Sequence, residues 1–225
     1  MSRRGIVRTS LAIAALGIAG LAAYEGYALW RAEARTPQIL AAYLAKPQPV
    51  ALAALTPDRK EILLKVEDPG FYQHKGIDWS SPGQGMTTIT QALTKFLYFK
   101  RFRKGFAKIE QSLIARFVLD RHLTKDQQLA LYINQAYLGE IDGKPIRGFE
   151  AASLAYFDKP FAEINSEEYL GLVGMLISPN ALRPDKHPDA YKERVARIEN
   201  LVAGNCKPTG VLDALFAACA PREIH

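Results

Sequence analysis

The stretch Val66-Glu67-Asp68-Pro69-Gly70-Phe71-Tyr72-Gln73-His74-Lys75-Gly76-Ile77-Asp78 sets two adjacent carboxylates directly before a Pro-Gly turn, with an aromatic pair and a histidine just beyond. A carboxylate on a turn beside aromatic rings is partly desolvated. Desolvation disfavours the charged form and raises the pKa toward that of a useful base. Glu67 is therefore the first catalytic candidate. The same residues also read as an ordinary helix C-terminus with exposed acids, followed by a loop.

Working outward, Gly83-Gln84-Gly85-Met86-Thr87-Thr88-Ile89-Thr90-Gln91-Ala92-Leu93-Thr94-Lys95 is a glycine-rich loop running into a helix rich in hydroxyls. Free backbone N–H groups at such a helix start suit a phosphate. Thr87, Gln91 and Lys95 are spaced by four and share one face. No Gly-Lys-Thr follows the glycines, so this is not a P-loop; a capped helix without ligand reads the same way. Beyond it, Phe96-Leu97-Tyr98-Phe99-Lys100-Arg101-Phe102-Arg103-Lys104-Gly105-Phe106 interleaves basic and aromatic residues. Such a segment suits a lipid headgroup layer, a nucleic acid or plain solvent.

The N-terminus chooses among these. Arg3, Arg4 and Arg8 precede an apolar run from Leu11 to Trp30, and roughly 20 helical residues span a bilayer core. The basic flank stays in the cytoplasm and sends the rest outward, with Tyr24, Tyr27 and Trp30 at the far interface. Glu25 is expected near the outer end, within reach of headgroups. A cleaved signal peptide with an apolar core from Leu11 to Tyr24 is the competing reading, and it also exports the domain. The basic-aromatic segment is accordingly assigned to lipid, and no nucleic acid is expected.

The 225 residues carry 29 Lys+Arg against 23 Asp+Glu, a net charge of +6 that favours anionic partners. Cys206 and Cys219 are the only cysteines, and no His/Cys cluster has metal-ligand spacing. Outside the cytoplasm the two cysteines can pair; the sequence equally allows two thiols. Residues 1–32 are read as flank and anchor. Residues 33–54 are an Ala/Pro-rich connector broken by Pro37, Pro47 and Pro49, 55–204 the domain and 205–225 a tail.

The domain reads as mostly helical. Thr88 to Leu97 is amphipathic, and Ile109, Leu113 and Phe117, with Ile114 and Val118 beside them, mark a buried helix face. Thr124 and Gln127 form a capping box. Asn165 or Ser166 opens a helix that stops before Pro179, and the last helix follows Pro188 and ends near Gly204. Strand signals are scarce.

These blocks together resemble the family 51 glycosyltransferases, the glycan-polymerising domains of penicillin-binding proteins and of monofunctional peptidoglycan transglycosylases. Glu67, Asp68, Phe71, His74, Gly76 and Asp78 fit the family pattern E-D-x-x-F-x-x-H-x-G-x-D. Gly85, Thr88, Ile89, Thr90, Gln91, Leu93 and Lys95 fit G-G-S-T-I-T-Q-Q-L-x-K, with Met86, Thr87 and Ala92 as departures. Leu123-Thr124-Lys125-Asp126, Leu131-Tyr132-Ile133-Asn134, Tyr137-Leu138-Gly139, Arg147-Gly148-Phe149-Glu150-Ala151-Ala152, Tyr156-Phe157-Asp158-Lys159-Pro160 and Leu172-Val173-Gly174-Met175 continue the match in order.

The resemblance implies a mostly α, lysozyme-like lobe with a small membrane-associated jaw, preceded by one transmembrane helix in the bacterial inner membrane. It implies polymerisation of lipid II onto a growing glycan strand with Glu67 as base. Asp68, Phe71, His74, Thr87, Thr90, Gln91, Lys95, Lys108 and Arg147 are the implied substrate-binding residues. A divalent cation (Mg or Mn) is expected only with the diphosphate, with no metal ligands from the protein. Residues 205–225 are too few for a transpeptidase, so cross-linking transpeptidases or other cell-wall proteins are the expected partners.

One element departs. In the family's R-K-x-x-E, Lys108 fits the lysine, but Gln111 stands at the glutamate. Counting back from Leu123 puts Ser112 there instead, as if one residue were inserted. Glu110 is the neighbouring carboxylate, about 100° away on a helix. Gln111 hydrogen-bonds but carries no charge. A non-catalytic lipid II- or cell-wall-binding homologue and a lysozyme-like glycan-cleaving enzyme are therefore the alternatives.

Overall fold

Helix α1 (Arg3–Leu44) runs for 42 residues in the computed structural model, which describes residues 3–83, 85, 87–103 and 105–221. The side chains of the basic flank Arg3, Arg4 and Arg8 and the departure at Met86 lie outside the described residues. From Ser10 onward α1 is long and apolar enough to cross a membrane. Leu11, Ile13, Leu16, Ile18 and Trp30 stand exposed on it.

The expected connector beginning at residue 33 is instead the continuation of this helix. Pro37 has no N–H for the carbonyl of Glu33. Packing holds the helix regardless: Ala32, Thr36 and Leu40 are buried against the lobe. Thr36 Oγ1 donates to Ala32 O and shares a 2.7 Å hydrogen bond with Tyr98. Only residues 45–56 leave the α-helix, with a 3-10 turn at Leu52–Ala54. They are docked by Asn134, which exchanges two hydrogen bonds with the backbone of Val50. Glu25 also departs from expectation. It is buried, with neither carboxylate oxygen hydrogen-bonded.

The lobe follows as α2 (Pro57–Glu67), α3 (Ile89–Tyr98), α4 (Phe106–Ile114), a π-helical segment Ala115–Leu119, the single turn α5 (Asp120–His122) and α6 (Lys125–Gln135). After a hairpin come α7 (Phe149–Phe157), α8 (Ser166–Met175) and α9 (Pro188–Val202). Capping boxes open α3 at Thr88, α6 at Thr124 and α8 at Asn165, each satisfying otherwise unpaired N–H groups. Leu63 and Val66 of α2, Ile89 and Leu93 of α3, Leu129 and Ile133 of α6, and Leu172 and Val173 of α8 share one core with Phe71, Phe149, Phe161 and Tyr169. The single sheet among the described residues is an antiparallel hairpin of β1 (Tyr137–Ile141) and β2 (Lys144–Arg147). Its turn is Asp142-Gly143, both at positive φ, the Asp-Gly signature of a tight hairpin.

The expected burial of Ile109 and Phe117 is corrected, while Leu113 is half-buried. Ile109 and Phe117 are exposed, as is Phe106, while the adjacent stripe of Ile114, Ala115 and Val118 is buried. The lobe thus carries an apolar outer face on α4 next to α1. A π segment occupies Ala115–Leu119, between Gln111 and Leu123, a place where a helix can take up one extra residue.

Gly76 locks the first loop onto this segment. Its φ is +85°, and a Cβ there would stand 2.5 Å from the carbonyl oxygen of Ala115. Its own carbonyl accepts from Thr88 Oγ1 at 2.7 Å. Gly76→Ala is expected to lower unfolding stability by about 2–4 kcal/mol, from the left-handed φ and the backbone clash together. Denaturant titration checks this, and an unchanged midpoint would contradict it.

Candidate active site

Glu67 ends α2 at the base of a cleft of about 780 Å³. Lys95 of α3, Lys108 and Gln111 of α4, Tyr132 of α6, Arg194 of α9 and Thr87 all face the same space. The carboxylate is surrounded by protein yet open to the cleft. Burial pushes its pKa up to about 7; a hydrogen bond from Tyr132 (3.0 Å) and the charge of Arg194 hold it down, and Asp68 adds a little upward. At neutral pH such a group is divided between its two protonation states, as a general base requires.

Lys108 responds in the opposite sense. Burial, with Lys95 nearby, pulls its pKa down to about 8. Its ammonium donates to Thr87 Oγ1 at 2.9 Å. The exposed Lys95 stands over the Phe102 ring at 5.5 Å. Two neighbouring ammonium groups in a partly desolvated cleft favour an anionic ligand.

Several expected binding residues lie beneath the cleft and do not line it. Asp68 is fully buried, and its carboxylate accepts from His74 Nε2 (2.9 Å) and from the Ile89 N–H (2.9 Å). Phe71 is core. Thr90 donates to Gln128 at 2.6 Å and so joins α3 to α6. Gln91 is spent on the capping box and on Ser112, which its amide reaches at 2.8 Å. Thr87 and Lys95 do share the cleft as their spacing suggested, but Gln91 between them does not line it. Arg147 is exposed and is not among the lining residues, its guanidinium 5.6 Å from the ring of Phe96 and 5.7 Å from that of Tyr137, two residues that line the cleft.

At the departing position, Gln111 is almost completely buried. Its Nε2 donates to the carbonyl of Gln91 at 2.6 Å, and its Oε1 is buried without a partner. A carboxylate could not make that donation unless protonated, so the site is built around the amide. Glu110, the neighbouring carboxylate, is not among the residues that line the cleft. It does not replace the missing carboxylate. Ser112 donates back to the Lys108 carbonyl and likewise stays out of the cleft.

Arg194 was not among the residues singled out in the sequence. It is nearly buried, with its guanidinium 4.6 Å from the Phe216 ring and hydrogen-bonded to Ala214 O at 3.0 Å. The available signal was its recurrence with Arg197 and Asn200 every three residues along α9.

The raised pKa of Glu67 has a consequence for stability. A carboxyl group at about 7 in the folded chain and near 4.3 when unfolded binds more protons folded than unfolded between those values. Its contribution to stability therefore falls as pH rises from the unfolded value to about 7, and then levels. Glu67→Gln cannot ionise. It is expected to melt higher than wild type at pH 8, with the difference shrinking toward pH 4.5. Equal melting temperatures at pH 8 would contradict the burial of this carboxylate.

The transglycosylase family profile matches residues 36–203, which takes in the end of α1 and stops at the close of α9. The chain is 39% identical over 145 residues to penicillin-binding protein 1B of Buchnera aphidicola subsp. Acyrthosiphon pisum, covering 59% of this chain and 19% of that protein. It is 35% identical over 147 residues to penicillin-binding protein 1B of Escherichia coli K12, covering 60% and 17%. It is 29% identical over 196 residues to penicillin-binding protein 1F of Bacillus subtilis, covering 81% and 26%. The chain thus spans between 17% and 26% of the length of these relatives. With the profile covering most of the chain and a buried glutamate facing lysines across one cleft, the chain belongs to the transglycosylase family, glycosyltransferase family 51.

Proposed function

We propose that this chain is a peptidoglycan glycosyltransferase that polymerises lipid II, held at the membrane by α1. The observation that carries the reading is the pairing, in one cleft, of a carboxylate with a pKa of about 7 and two lysines without carboxylate partners there. A hydroxyl of one sugar attacks the anomeric carbon of the lipid-diphosphate-linked strand. The new C–O bond forms as the bond to the diphosphate oxygen breaks, and the diphosphate leaves with the electron pair. Glu67 takes the hydroxyl proton. Lys95, Lys108 and Arg194 face the charge that develops on the departing diphosphate.

The fold supports this substrate class. The exposed Phe106 and Ile109 on α4 and Phe117 on the π segment lie on elements that pack beside the helix that would cross the membrane, where a lipid-linked substrate resides. The orientation that follows from the basic flank puts the N-terminus in the cytoplasm and the lobe outside. Transpeptidases or other cell-wall proteins are the partners proposed alongside this activity.

A resident metal does not fit. Among the described residues no three His, Cys, Asp or Glu side chains converge, and the cleft is lined by cations around one carboxylate. A divalent cation associated with the diphosphate would belong to the substrate.

Gln111 favours a second reading, a homologue that binds lipid II without polymerising it. Incubating the purified protein with labelled lipid II separates the two. The expected result is polymer from wild type and a rate lower by about 10²–10⁴ in Glu67→Gln, the usual span for loss of a general base. Equal polymer from both would remove Glu67 from its role. Lipid II bound but never polymerised, with polymer appearing in Gln111→Glu, would establish the binding reading.

A further inference from the structure

The residues after α9 extend beyond the matched family region and form a structured element. Cys206 and Cys219 are joined by a disulfide, and the segment between them folds back along α9. Three side chains spaced by three on that helix each donate to a tail carbonyl. Arg194 reaches Ala214 O (3.0 Å), Arg197 reaches Leu215 O (3.3 Å) and Asn200 reaches Cys219 O (3.0 Å). Asp213 closes the tail on itself by accepting from the N–H groups of Thr209 and Ala217, both at 3.0 Å. Phe216 is fully buried in the main core.

The other edge of the tail grips the loop that enters α3. Gly83 N–H donates to Gly210 O at 2.9 Å and Gly85 N–H to Val211 O at 2.7 Å. The approach is close enough to require glycine. A Cβ on Gly83 would stand 2.7 Å from both Phe216 and Pro208, at a φ of +80°. Leu212 and Ala214 then line the cleft that holds Glu67, and Leu212 is 73% exposed at its rim. An exposed leucine with no burial of its own is a natural contact for the apolar part of a ligand.

We propose that the disulfide-tied tail, residues 205–221, is a strap that completes the substrate cleft: it holds the 83–85 loop and Arg194 in position and supplies Leu212 as a substrate-contacting wall. This rests on the glycosyltransferase reading for its substrate but not for its geometry. Positioning by the strap follows from its two sets of hydrogen bonds. Releasing one end frees the Gly83 and Gly85 amides, whose partners among the described residues are both in the tail.

Amide-resolved hydrogen exchange on the full chain in detergent tests the geometry without any turnover. In Cys206→Ser/Cys219→Ser, exchange at Gly83 and Gly85 is expected to rise at least tenfold over wild type while α6 and α8 stay protected. Gly83→Ala reaches the same joint with the disulfide intact and should free Gly85 in the same way, so it decides the question if the double variant does not fold. Lipid II titration then tests the wall. Leu212→Ser is expected to raise KM several-fold, or the dissociation constant if wild type binds without turnover, with kcat and melting temperature unchanged. Unchanged exchange at Gly85 in either folded variant would overturn the strap, and unchanged KM and affinity in Leu212→Ser would overturn the wall. Absence of polymer from wild type would count against the glycosyltransferase reading alone.

Discussion

The carboxylate of Asp68 is the joint on which the site depends. It is fully buried, and it is satisfied from two directions, by His74 from the loop after α2 and by the first N–H of α3. An anion at a helix N-terminus is stabilised by the unpaired N–H groups and the dipole there, and a buried charge left without such partners would be strongly destabilising. The bond therefore fixes the end of α2 against the start of α3. Glu67 is the preceding residue, so its place in the cleft is inherited from Asp68. Gly76, Thr88 and the π segment continue the same clamp one layer further out.

On this frame the cleft sets unlike groups against a common desolvation. Glu67 is pushed toward its neutral form and Lys108 toward its neutral form, with values of about 7 and about 8. Both shifts have burial as the largest cause; an anionic ligand beside the lysines would restore the charge of Lys108 and push Glu67 further toward accepting a proton. Tyr132 and Arg194 keep Glu67 from rising further. The electrostatics thus agree with proton abstraction beside a departing anion. The amide of Gln111 occupies the third corner without adding charge.

Much of this was legible in the residues. Helix starts at Thr88, Thr124 and Asn165 follow from side chains that satisfy free N–H groups locally, and local chemistry is what a sequence displays. The lysines and Glu67 stand in one cleft, as their motifs implied. Other features depend on contacts distant in sequence. Pro37 reads as a breaker because the packing of Thr36 against Tyr98, 62 residues away, cannot be seen in the local pattern. Periodicity marked Ile109 and Phe117 as an apolar face but could not say whether protein or another apolar medium covers it. Asp68, His74 and Gln91 look like ligand-binding residues in a motif, and only the fold shows Asp68 engaged by His74 Nε2 and the Ile89 N–H, and Gln91 by the Thr88 N–H and Ser112. The pairing of Cys206 and Cys219 is one of the two readings the sequence allows, but the contacts of Arg194 with the tail are not legible locally because their roles are defined by each other.

The central claim is that Glu67 is a base whose proton affinity is set by burial and moderated by Tyr132. Its most direct measurement is the pH dependence of kcat/KM for lipid II polymerisation, in wild type and in Tyr132→Phe. The base must be unprotonated, so the wild-type rate should fall as pH drops below about 7, the value that burial gives Glu67. Removing the hydrogen bond that favours the carboxylate should move that acid limb to higher pH, with the melting temperature little changed. An acid limb near pH 4.5 in wild type, or one that does not move in Tyr132→Phe, would contradict the account.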